Sequence, residues 1–300
     1  MGRIAFVFSG QGDQFSGMGK ELAENYGAAA SVFEACDRLR PGTSAQCFSG
    51  TEAELCETKN TQPCLFAVEL ATAAVLTDAG IKPSCAAGFS LGEITACAFS
   101  DVFDLETGFK LVCRRGELMQ SASDKFDTSM AAVVKLLPEQ VEALCENYPH
   151  IYPVNYNCPG QISVAGLSAE MPDFFADVKA TGGRAIPIKV KGAFHSPFMK
   201  EASEAFAKEL SKVALNKPAT ELYSDLTAEV YTDDIVRLLS EQICNPVRWE
   251  GIIRNMIASG VDTFIEIGPG KTLTNMIKKI DAEVRAYPAC DLSVILSEVK

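Results

Sequence analysis

Short apolar runs and longer helical periods alternate along the first part of the chain. Residues 4–8 and 85–89 form apolar runs next to glycine or serine, which predicts two short buried strands. Apolar positions at helical spacing predict the helices, which fall at about 17–40, 61–79, after Ser90, and at 104–122. Strands that alternate with helices in this way favour an α/β fold with a mainly parallel sheet.

The pattern changes to shorter units between about residues 126 and 190. Strands are predicted at 130–136, 151–155, 161–165 and 184–190, and helices at 138–147 and 169–180. This β-α-β-β-α-β order is typical of a small ferredoxin-like α+β subdomain. Helical patterns resume after Phe198, and a last buried strand is predicted at 263–267. The predicted large domain comprises residues 1–125 and 191–300, and the inserted subdomain comprises residues 126–190.

Composition narrows the class of protein. The chain has 300 residues, of which 47% are hydrophobic and 22% charged, as expected for a globular protein with a sizeable core. A formal charge of −12 argues against a nucleic-acid-binding protein, which needs a basic face. The longest apolar run, at 65–76, contains Glu69 and is too short to span a membrane. Eleven scattered cysteines and no visible secretory leader favour a cytoplasmic protein with reduced thiols.

One serine lies where a predicted strand becomes a helix, in Gly88-Phe89-Ser90-Leu91-Gly92-Glu93. In such a Gly-x-Ser-x-Gly turn the hydroxyl stands clear of its neighbours, and the following backbone N–H points at any charge that forms beside it. This geometry suits a nucleophile. However, Ser90 and Glu93 also have the spacing of a capping box, which begins many ordinary helices. These six residues alone leave both interpretations open.

A serine nucleophile needs a base, and the chain has only two histidines. His150 lies in a connection inside the small subdomain, where a solvated surface side chain is the simpler interpretation. His195 lies in a bend where the chain returns to the large domain, and clefts often form at such boundaries. If Ser90 is the nucleophile, we expect His195 to be its base.

Helical spacing separates two neighbouring arginines. Arg114 shares a polar helix face with Glu117, which can pair with it. Arg115 shares a face with Leu111 and Leu118, so its cation is aimed at the apolar side. A buried guanidinium needs an anionic partner. That partner is either an internal acid, in a structural ion pair, or a substrate carboxylate held by two parallel hydrogen bonds.

Two glycine-rich segments superficially match nucleotide-binding motifs. Phe15 stands where a dinucleotide fingerprint that begins at Gly10 needs its third glycine. Ile265 stands where a phosphate-binding loop that ends at Lys271-Thr272 needs its first glycine. We therefore expect neither a nucleotide cofactor nor a metal.

Nearly the whole chain resembles the malonyl-CoA:acyl carrier protein transacylases of fatty-acid and polyketide synthesis. The motifs that carry the resemblance are Gly10-Gln11-Gly12-Asp13-Gln14, Gly17-Met18-Gly19, the Ser90 turn, residues 111–120, Asn155-Tyr156-Asn157-Cys158-Pro159-Gly160-Gln161, Gly192-Ala193-Phe194-His195-Ser196-Pro197-Phe198-Met199, Asn245-Pro246-Val247-Arg248-Trp249 and Glu266-Ile267-Gly268-Pro269-Gly270. The resemblance implies an α/β-hydrolase-like core that carries an inserted ferredoxin-like subdomain.

The resemblance also implies roles for individual residues. Ser90 becomes the nucleophile, His195 the general base, and Arg115 the clamp for the malonyl carboxylate. The backbone amides of Gln11 and Leu91 become the oxyanion hole. The remaining implied residues are Gln242, whose main-chain carbonyl orients the histidine, and the substrate-binding residues Gln11, Met119, Asn157 and Phe194, the last of which matches the malonyl-selecting form of its motif.

The implied reaction is a two-step malonyl transfer. Malonyl-CoA acylates the serine, and the phosphopantetheine thiol of an acyl carrier protein then accepts the malonyl group. The expected partners are these two substrates, with no membrane or nucleic acid and no resident cofactor, and the expected state is a monomer. Three alternatives stay open: a serine hydrolase or thioesterase, a polyketide-pathway acyltransferase with another acyl specificity, and a non-catalytic carrier-binding subunit in which Ser90 only caps a helix.

Two features lie outside the motif match. The chain has Ser9, Asp13 and Phe89 where the family usually has proline, serine and histidine, and Asp13 could oppose an anion that approaches Gln11. In addition, residues 181–200 contain several cations and no acid in an otherwise acidic protein, namely Arg184, Lys189, Lys191 and Lys200. These are either ordinary solvated lysines or a basic rim for coenzyme A phosphates and an acidic carrier protein, formed by Lys189, Lys191 and Lys200.

Overall fold

The computed structural model describes residues 2–299 and contains two separate β-sheets packed with helices. The strands are β1 (Arg3–Phe8), β2 (Cys85–Gly88), β3 (Thr128–Val134), β4 (Ile151–Cys158), β5 (Gln161–Leu167), β6 (Arg184–Ile188), β7 (Glu221–Tyr223), β8 (Val261–Ile267) and β9 (Arg285–Pro288). The helices are α1 (Lys20–Asn25), α2 (Gly27–Leu39), α3 (Thr43–Ser49), α4 (Glu52–Cys56), α5 (Thr58–Asp78), α6 (Leu91–Phe99), α7 (Leu105–Ser123), α8 (Pro138–Cys145), α9 (Met171–Ala180), α10 (Lys200–Leu210), α11 (Ile235–Glu241), α12 (Trp249–Ala258), α13 (Thr272–Ile280) and α14 (Leu292–Glu298). Short 3₁₀ turns lie at Pro197–Met199, Gln242–Cys244 and Ala289–Asp291.

The larger sheet has the strand order β7-β2-β1-β8-β9, and every pair of neighbouring strands is parallel. Its central strand β1 pairs with β2 and β8 in register, so that Phe6 lies beside Ala86 and Ile265. Because helices cover both faces, the central strands are continuous apolar runs rather than alternating ones. The parallel arrangement also brings the carboxyl ends of β1, β2 and β8 to one edge, where ligand sites form in open α/β sheets.

The smaller sheet is antiparallel and has the strand order β4-β5-β3-β6. Its strands lie between Thr128 and Ile188, inside the segment that the sequence predicts to be the small subdomain. Helices α8 and α9 pack against it and close its own apolar core. A bridge between Asn155 and Val247 joins strand β4 to the segment before α12. This bridge therefore ties the smaller sheet to the part of the chain that leads into α12.

The α/β class and the parallel larger sheet are confirmed, with differences in individual elements. The helix predicted at 17–40 is two helices, because Tyr26 adopts an extended conformation between α1 and α2. The short helices α3 and α4 and the short strands β7 and β9 have no counterpart among the predictions. Segments of three to seven residues are too short to show a clear apolar period. Within residues 2–299, no helix is both long and apolar enough to cross a membrane.

Helix α6 packs directly on the end of β1 without intervening side chains. A β-carbon added to Gly92 would overlap the carbonyl oxygens of Phe8 and Ser9, and one added to Gly88 would overlap Gly92 itself. The two glycines therefore allow the backbone contact that places the start of α6 over the carboxyl end of the sheet. This contact sets the position of Ser90 between them.

The close approach at Gly92 predicts that substitution of this glycine destabilises the protein more than substitution of a glycine in open space. Gly92→Ala forces α6 away from β1, and we expect a loss of about 1–3 kcal/mol in the free energy of unfolding. The control is Gly27→Ala at the start of α2, where a β-carbon meets open space. Its stability is expected to stay within about 1 kcal/mol of the wild type. Urea denaturation checks both values, and equal stabilities for the two variants would contradict the packing argument.

Candidate active site

A narrow cavity opens between the carboxyl edge of the larger sheet and the smaller sheet. Both domains predicted from the sequence contribute to it, since Met130 and Asn155 come from the smaller sheet. The lining residues are Gln11, Gln62, Phe89, Ser90, Leu91, Met119, Met130, Asn155, Ile188, Val190, Phe194 and His195. Most of the lining is apolar, and the polar groups converge on the end of β2.

Ser90 lies in a strained turn between β2 and α6. Its backbone has φ 55° and ψ −103°, a conformation that costs a non-glycine residue about 1–3 kcal/mol. The backbone N–H donates to Asp225 Oδ2 at 2.5 Å, and the side chain caps no helical N–H. Glu93 does not reach back to the N–H of Ser90 either. The capping-box interpretation is therefore wrong, and the Ser90 hydroxyl is free to face the cavity.

His195 lies against Ser90. The Nε2 atom is 2.7 Å from Ser90 Oγ, and Nδ1 is 2.7 Å from the carbonyl oxygen of Gln242. A carbonyl only accepts, so Nδ1 carries the hydrogen and Nε2 accepts the hydrogen bond from the Ser90 hydroxyl. His150 is remote from this pair: it is exposed and bonded to Glu170 at 2.7 Å, as a surface histidine.

The surroundings keep His195 neutral. Burial lowers its pKa to about 4, from an ordinary 6.5, and the nearby charge of Arg115 acts in the same direction. The imidazole is consequently an unprotonated base throughout the physiological pH range. It is positioned to take the Ser90 proton as soon as the oxygen attacks an electrophile.

Arg115 is completely buried and incompletely bonded. Its Nη2 donates to Gln242 Oε1 at 2.7 Å and to Ser90 Oγ at 3.3 Å. Within residues 2–299, Nε and Nη1 find no hydrogen-bond partner, and the side chain forms no ion pair with an acid. Burial lowers the Arg115 pKa to about 10, which leaves the group charged at neutral pH. The structural ion pair considered for Arg115 is therefore absent, whereas Arg114 pairs with Glu117 at 3.0 Å as predicted.

Gln242 connects these groups through every polar atom of its side chain. Its Nε2 donates to the carbonyl oxygen of Ser90 at 2.9 Å and to Glu93 Oε2 at 2.7 Å, while Oε1 accepts from Arg115. Its own main-chain carbonyl accepts from His195. The sequence analysis identified only that carbonyl. The side-chain bonds and this carbonyl together fix the nucleophile, the base and the cation relative to one another.

Two buried acids, Glu93 and Asp225, lie behind Ser90. Glu93 Oε1 accepts from the Tyr231 hydroxyl at 2.6 Å and from the N–H of Asp225 at 3.0 Å. Burial raises the pKa of both carboxyl groups, and their mutual repulsion raises that of Asp225 further. Glu93 stands in the serine motif and could have been suspected from it. Asp225 is 135 residues from Ser90 and carries no motif that would have indicated it.

Most, but not all, of the other residues that the family resemblance implies for the site line the cavity. Gln11, Leu91, Met119 and Phe194 all line the cavity. Asn157 is not among the lining residues, its amide donates to Ser163 Oγ on the neighbouring strand at 3.1 Å, and its role in substrate binding stays a prediction. Two lining residues that the sequence analysis missed are Asn155, from the same strand, and Gln62, which donates to Met119 Sδ at 3.3 Å.

The three lysines of the predicted basic rim are all exposed. Lys189 stands in sequence between Ile188 and Val190, which line the cavity. Lys191 approaches Asp124 at 3.6 Å. Among residues 2–299, neither Lys189 nor Lys200 forms an ion pair with a carboxylate. No group of three or more histidine, cysteine, aspartate or glutamate side chains in this range is arranged to hold a metal ion.

Comparison with known proteins agrees with this geometry. Residues 5–293 match the family model described as the acyl transferase domain. The chain is 36% identical to the malonyl CoA-acyl carrier protein transacylase of Bacillus subtilis (strain 168), over 98% of this chain and 96% of that protein. The chain belongs to the malonyl CoA-acyl carrier protein transacylase family. It is therefore a member of a family of acyltransferase enzymes.

Solved structures of transacylases have the same fold. The transacylase from Clostridium perfringens ATCC 13124 superposes with a TM-score of 0.95 at 36% identity, covering 99% of this chain and 97% of that one. A malonyl-transacylase solved in complex with its type II polyketide-synthase acyl-carrier protein gives a TM-score of 0.92 at 31% identity, with 95% of each chain covered.

The three departures from the transacylase pattern each have a local partner. Phe89 packs edge-on against Trp249, with ring centroids 5.5 Å apart. Asp13 accepts a hydrogen bond from the Thr272 hydroxyl at 2.7 Å. Ser9 donates to the buried Glu69 at 2.7 Å. Of these three residues only Phe89 lines the cavity. The other two departures, Ser9 and Asp13, therefore add no polar group to the cavity wall.

The low pKa of His195 predicts how the reactivity of Ser90 depends on pH. The rate of Ser90 labelling by a sulfonyl fluoride is expected to stay constant as pH falls from 8 to about 5, and to halve only near pH 4, where His195 becomes protonated. Mass spectrometry of the labelled peptide gives the rate, and circular dichroism shows over which pH range the protein stays folded. A midpoint near 6.5 in folded protein would contradict the assigned environment of His195.

Proposed function

We propose that the protein transfers a malonyl group from malonyl-CoA to the phosphopantetheine thiol of an acyl carrier protein, through an ester on Ser90. One observation carries this proposal: a buried guanidinium with two unbonded nitrogens lies beside a serine that is already bonded to a neutral histidine. The site thus combines a nucleophile, a base and a cation that can bind an anionic acyl group. The names of the transacylase relatives support the substrate pair.

Acylation begins with the existing hydrogen bond. His195 Nε2 takes the Ser90 proton while Oγ attacks the thioester carbonyl carbon, and the backbone amides of Gln11 and Leu91 stabilise the oxyanion. The tetrahedral intermediate then collapses, the carbon–sulfur bond breaks, and His195 returns the proton to the leaving coenzyme A thiolate. The Gln242 carbonyl stabilises the imidazolium that exists between these two proton transfers.

Transfer to the carrier reverses the roles. The carrier thiol gives its proton to His195 and attacks the malonyl ester, and the same two amides hold the second oxyanion. The carbon–oxygen bond breaks, and His195 returns the proton to Ser90 Oγ. The enzyme is regenerated without a resident cofactor, since the coenzyme A thioester is a substrate.

Arg115 selects an acyl group that carries a carboxylate. Its Nε and Nη1 atoms are free to donate hydrogen bonds to an anionic acyl group, and Nη1 together with the adjacent Nη2 forms a fork that can hold one carboxylate by two parallel hydrogen bonds. By the strength of hydrogen bonds to charged groups, the contact between Arg115 and the carboxylate as a whole contributes about 1.5–3 kcal/mol. An acetyl group leaves the buried fork unbonded, so a malonyl group is favoured, and Phe194 in the cavity wall limits the space for branched acyl groups. The hydrolase alternative has no need of this cation.

The fold supports the same proposal at finer detail. The serine turn at the end of β2, over a parallel sheet, is the arrangement of an α/β-hydrolase-like core. The order β3-α8-β4-β5-α9-β6 is that of a ferredoxin-like subdomain. All the reacting groups come from one chain, so a monomer suffices, and we place the protein in the cytoplasm with its substrates.

Arg115→Ala tests the selection of malonyl groups. Loss of the fork is expected to reduce malonyl transfer about 10- to 100-fold, since it removes 1.5–3 kcal/mol of binding in the transition state. Acetyl transfer, which never used the fork, is expected to fall much less. The matched control is Arg114→Ala, the neighbouring surface arginine on the same helix. Radiolabel transfer from the two thioesters gives the rates, and equal losses for malonyl and acetyl groups would argue against the clamp.

The basic rim formed by Lys189, Lys191 and Lys200 completes the proposal. Exposed cations near a cavity in a protein of net charge −12 provide local attraction for coenzyme A phosphates and for an acidic carrier. Lys189 is the best placed of the three, because its neighbours on both sides line the cavity and it forms no ion pair in the described chain.

Charge reversal of the rim predicts a selective effect on the carrier. Lys189→Glu combined with Lys191→Glu is expected to raise the KM for carrier protein several-fold at low salt, and less at high salt, because screening weakens the repulsion. The rate of Ser90 acylation by small thioesters is expected to stay unchanged. Lys82→Glu, an exposed lysine before β2 at the opposite end of the strand from Ser90, is the control. An unchanged KM for the double variant would remove the rim from the proposal.

A further inference from the structure

A further buried acid, Glu69, lies near the site but takes no part in the mechanism above. It stands in the middle of α5, is completely buried, and forms no ion pair within residues 2–299. Each carboxyl oxygen has one hydroxyl partner: Ser9 Oγ lies 2.7 Å from Oε1, and Thr95 Oγ1 lies 2.5 Å from Oε2. A buried carboxyl group without a charged partner is costly even when it is hydrogen-bonded, so its place in the middle of an apolar helix calls for a role.

The two hydroxyl partners belong to the two segments that carry the proposed oxyanion amides. Ser9 follows β1 and precedes Gln11 by two residues, and its backbone N–H is held by the carbonyl of Ile267. Thr95 lies one helical turn after Leu91 in α6. Glu69 therefore bonds to both segments at once.

The surrounding packing leaves little other freedom at this junction. Gly268 adopts a φ of +152°, and a β-carbon there would overlap Ser9 Oγ, so the Ser9 side chain fills the space that this glycine leaves. Gly92 similarly keeps the backbone of α6 against the carbonyl of Ser9. The side chains of Ser9, Glu69 and Thr95 together form one hydrogen-bonded link, which we name the oxyanion link.

We propose that Glu69 is a positioning residue that sets the spacing of the Gln11 and Leu91 amides through the oxyanion link. This inference rests on the proposed function, because that function assigns those amides to the oxyanion. It adds a residue that touches neither substrate nor the reacting atoms. It also accounts for Ser9, which departs from the family pattern and supplies the hydroxyl that one end of the link requires.

The protonation state of Glu69 makes the charge of the oxyanion link depend on pH. Burial raises its pKa to about 8, and the two hydroxyl bonds only partly offset this. Across the interface, the titratable group that acts on it is Glu266 of β8, which raises the pKa further and itself accepts the N–H groups of Leu273 and Thr274. Below pH 8 the link is therefore neutral. Above that pH a negative charge appears near the two amides and opposes the oxyanion that they must hold.

Single-turnover acylation of Ser90 by malonyl-CoA, followed by quenched mass spectrometry, tests the link. Ser9→Ala and Glu69→Ala are each expected to slow acylation about tenfold or more with an unchanged half-saturating malonyl-CoA concentration, because a displaced oxyanion donor acts on the transition state. Glu69→Gln is expected to recover most of the rate at pH 7, since an amide also donates and accepts. Thr72→Val, which removes another buried hydroxyl from α5, is the control with wild-type kinetics.

The pH profile separates positioning from ordinary stabilisation. The wild-type acylation rate is expected to fall as pH rises through about 8, whereas Glu69→Gln, which cannot ionise, keeps its rate to pH 9. A Glu69→Gln variant that retains the wild-type alkaline fall would overturn the inference. So would wild-type acylation rates in folded Ser9→Ala. If Glu69→Ala does not fold, Ser9→Ala and Glu69→Gln still decide the question.

A failure of the proposed function is distinguishable from a failure of the link. If malonyl-CoA leaves no adduct on the wild-type Ser90, the proposed function is wrong. The same variants are then compared by sulfonyl fluoride labelling, which uses the same serine and amides. The link stands if labelling shows the same order of rates and the same alkaline difference, and it fails if all variants label alike.

Discussion

The side chain of Gln242 is the contact on which the geometry of the site depends. It joins the Ser90 backbone, the Arg115 guanidinium and the Glu93 carboxyl group, while its main chain fixes the tautomer of His195. These groups come from α6, α7 and the loop before α10, which no shared secondary structure connects. A single amide can do this because it donates two hydrogens and accepts on its oxygen, and here all of these bonds are made. The orientations of His195 and Arg115 are therefore coupled, because both depend on the position of Gln242.

The electrostatics of the site explain why an acyl group with a carboxylate suits it. Arg115 is charged, buried and without an ion pair among the described residues, although the buried carboxyls of Glu93 and Asp225 stabilise its charge at a distance. An unpaired buried cation is costly, and binding of an anionic acyl group would reduce that cost. Burial lowers the pKa of His195 and the positive charge of Arg115 lowers it further, so the imidazole is neutral. In the proposed mechanism Arg115 therefore acts both on the choice of acyl group and on the protonation state of His195.

Hydrophobic periodicity and short motifs were enough to predict the features that repeat along the chain or that involve residues close in sequence. The burial of Arg115 followed from a helical spacing of apolar residues, and the Gly-x-Ser-x-Gly turn indicated the place of Ser90. Contacts between buried polar groups that lie far apart in sequence produce no pattern from which they could be predicted. Nothing in the pattern around Asp225 or Glu69 pointed to Ser90 or Ser9, because such pairs form only when separate elements pack together. The same reason separates Asn155 from Asn157: their relative places depend on irregular pairing between β4 and β5, which sequence spacing does not show.

The lifetime of a malonyl ester on Ser90 tests the central claim most directly. Protein incubated with malonyl-CoA alone, then digested and weighed by mass spectrometry, is predicted to carry one malonyl group on the Ser90 peptide. That group is predicted to persist in water and to leave rapidly when the phosphopantetheine form of an acyl carrier protein is added. The absence of any adduct would indicate a non-catalytic carrier-binding protein. Discharge by water as fast as by the carrier would indicate a hydrolase, and either result would contradict the account.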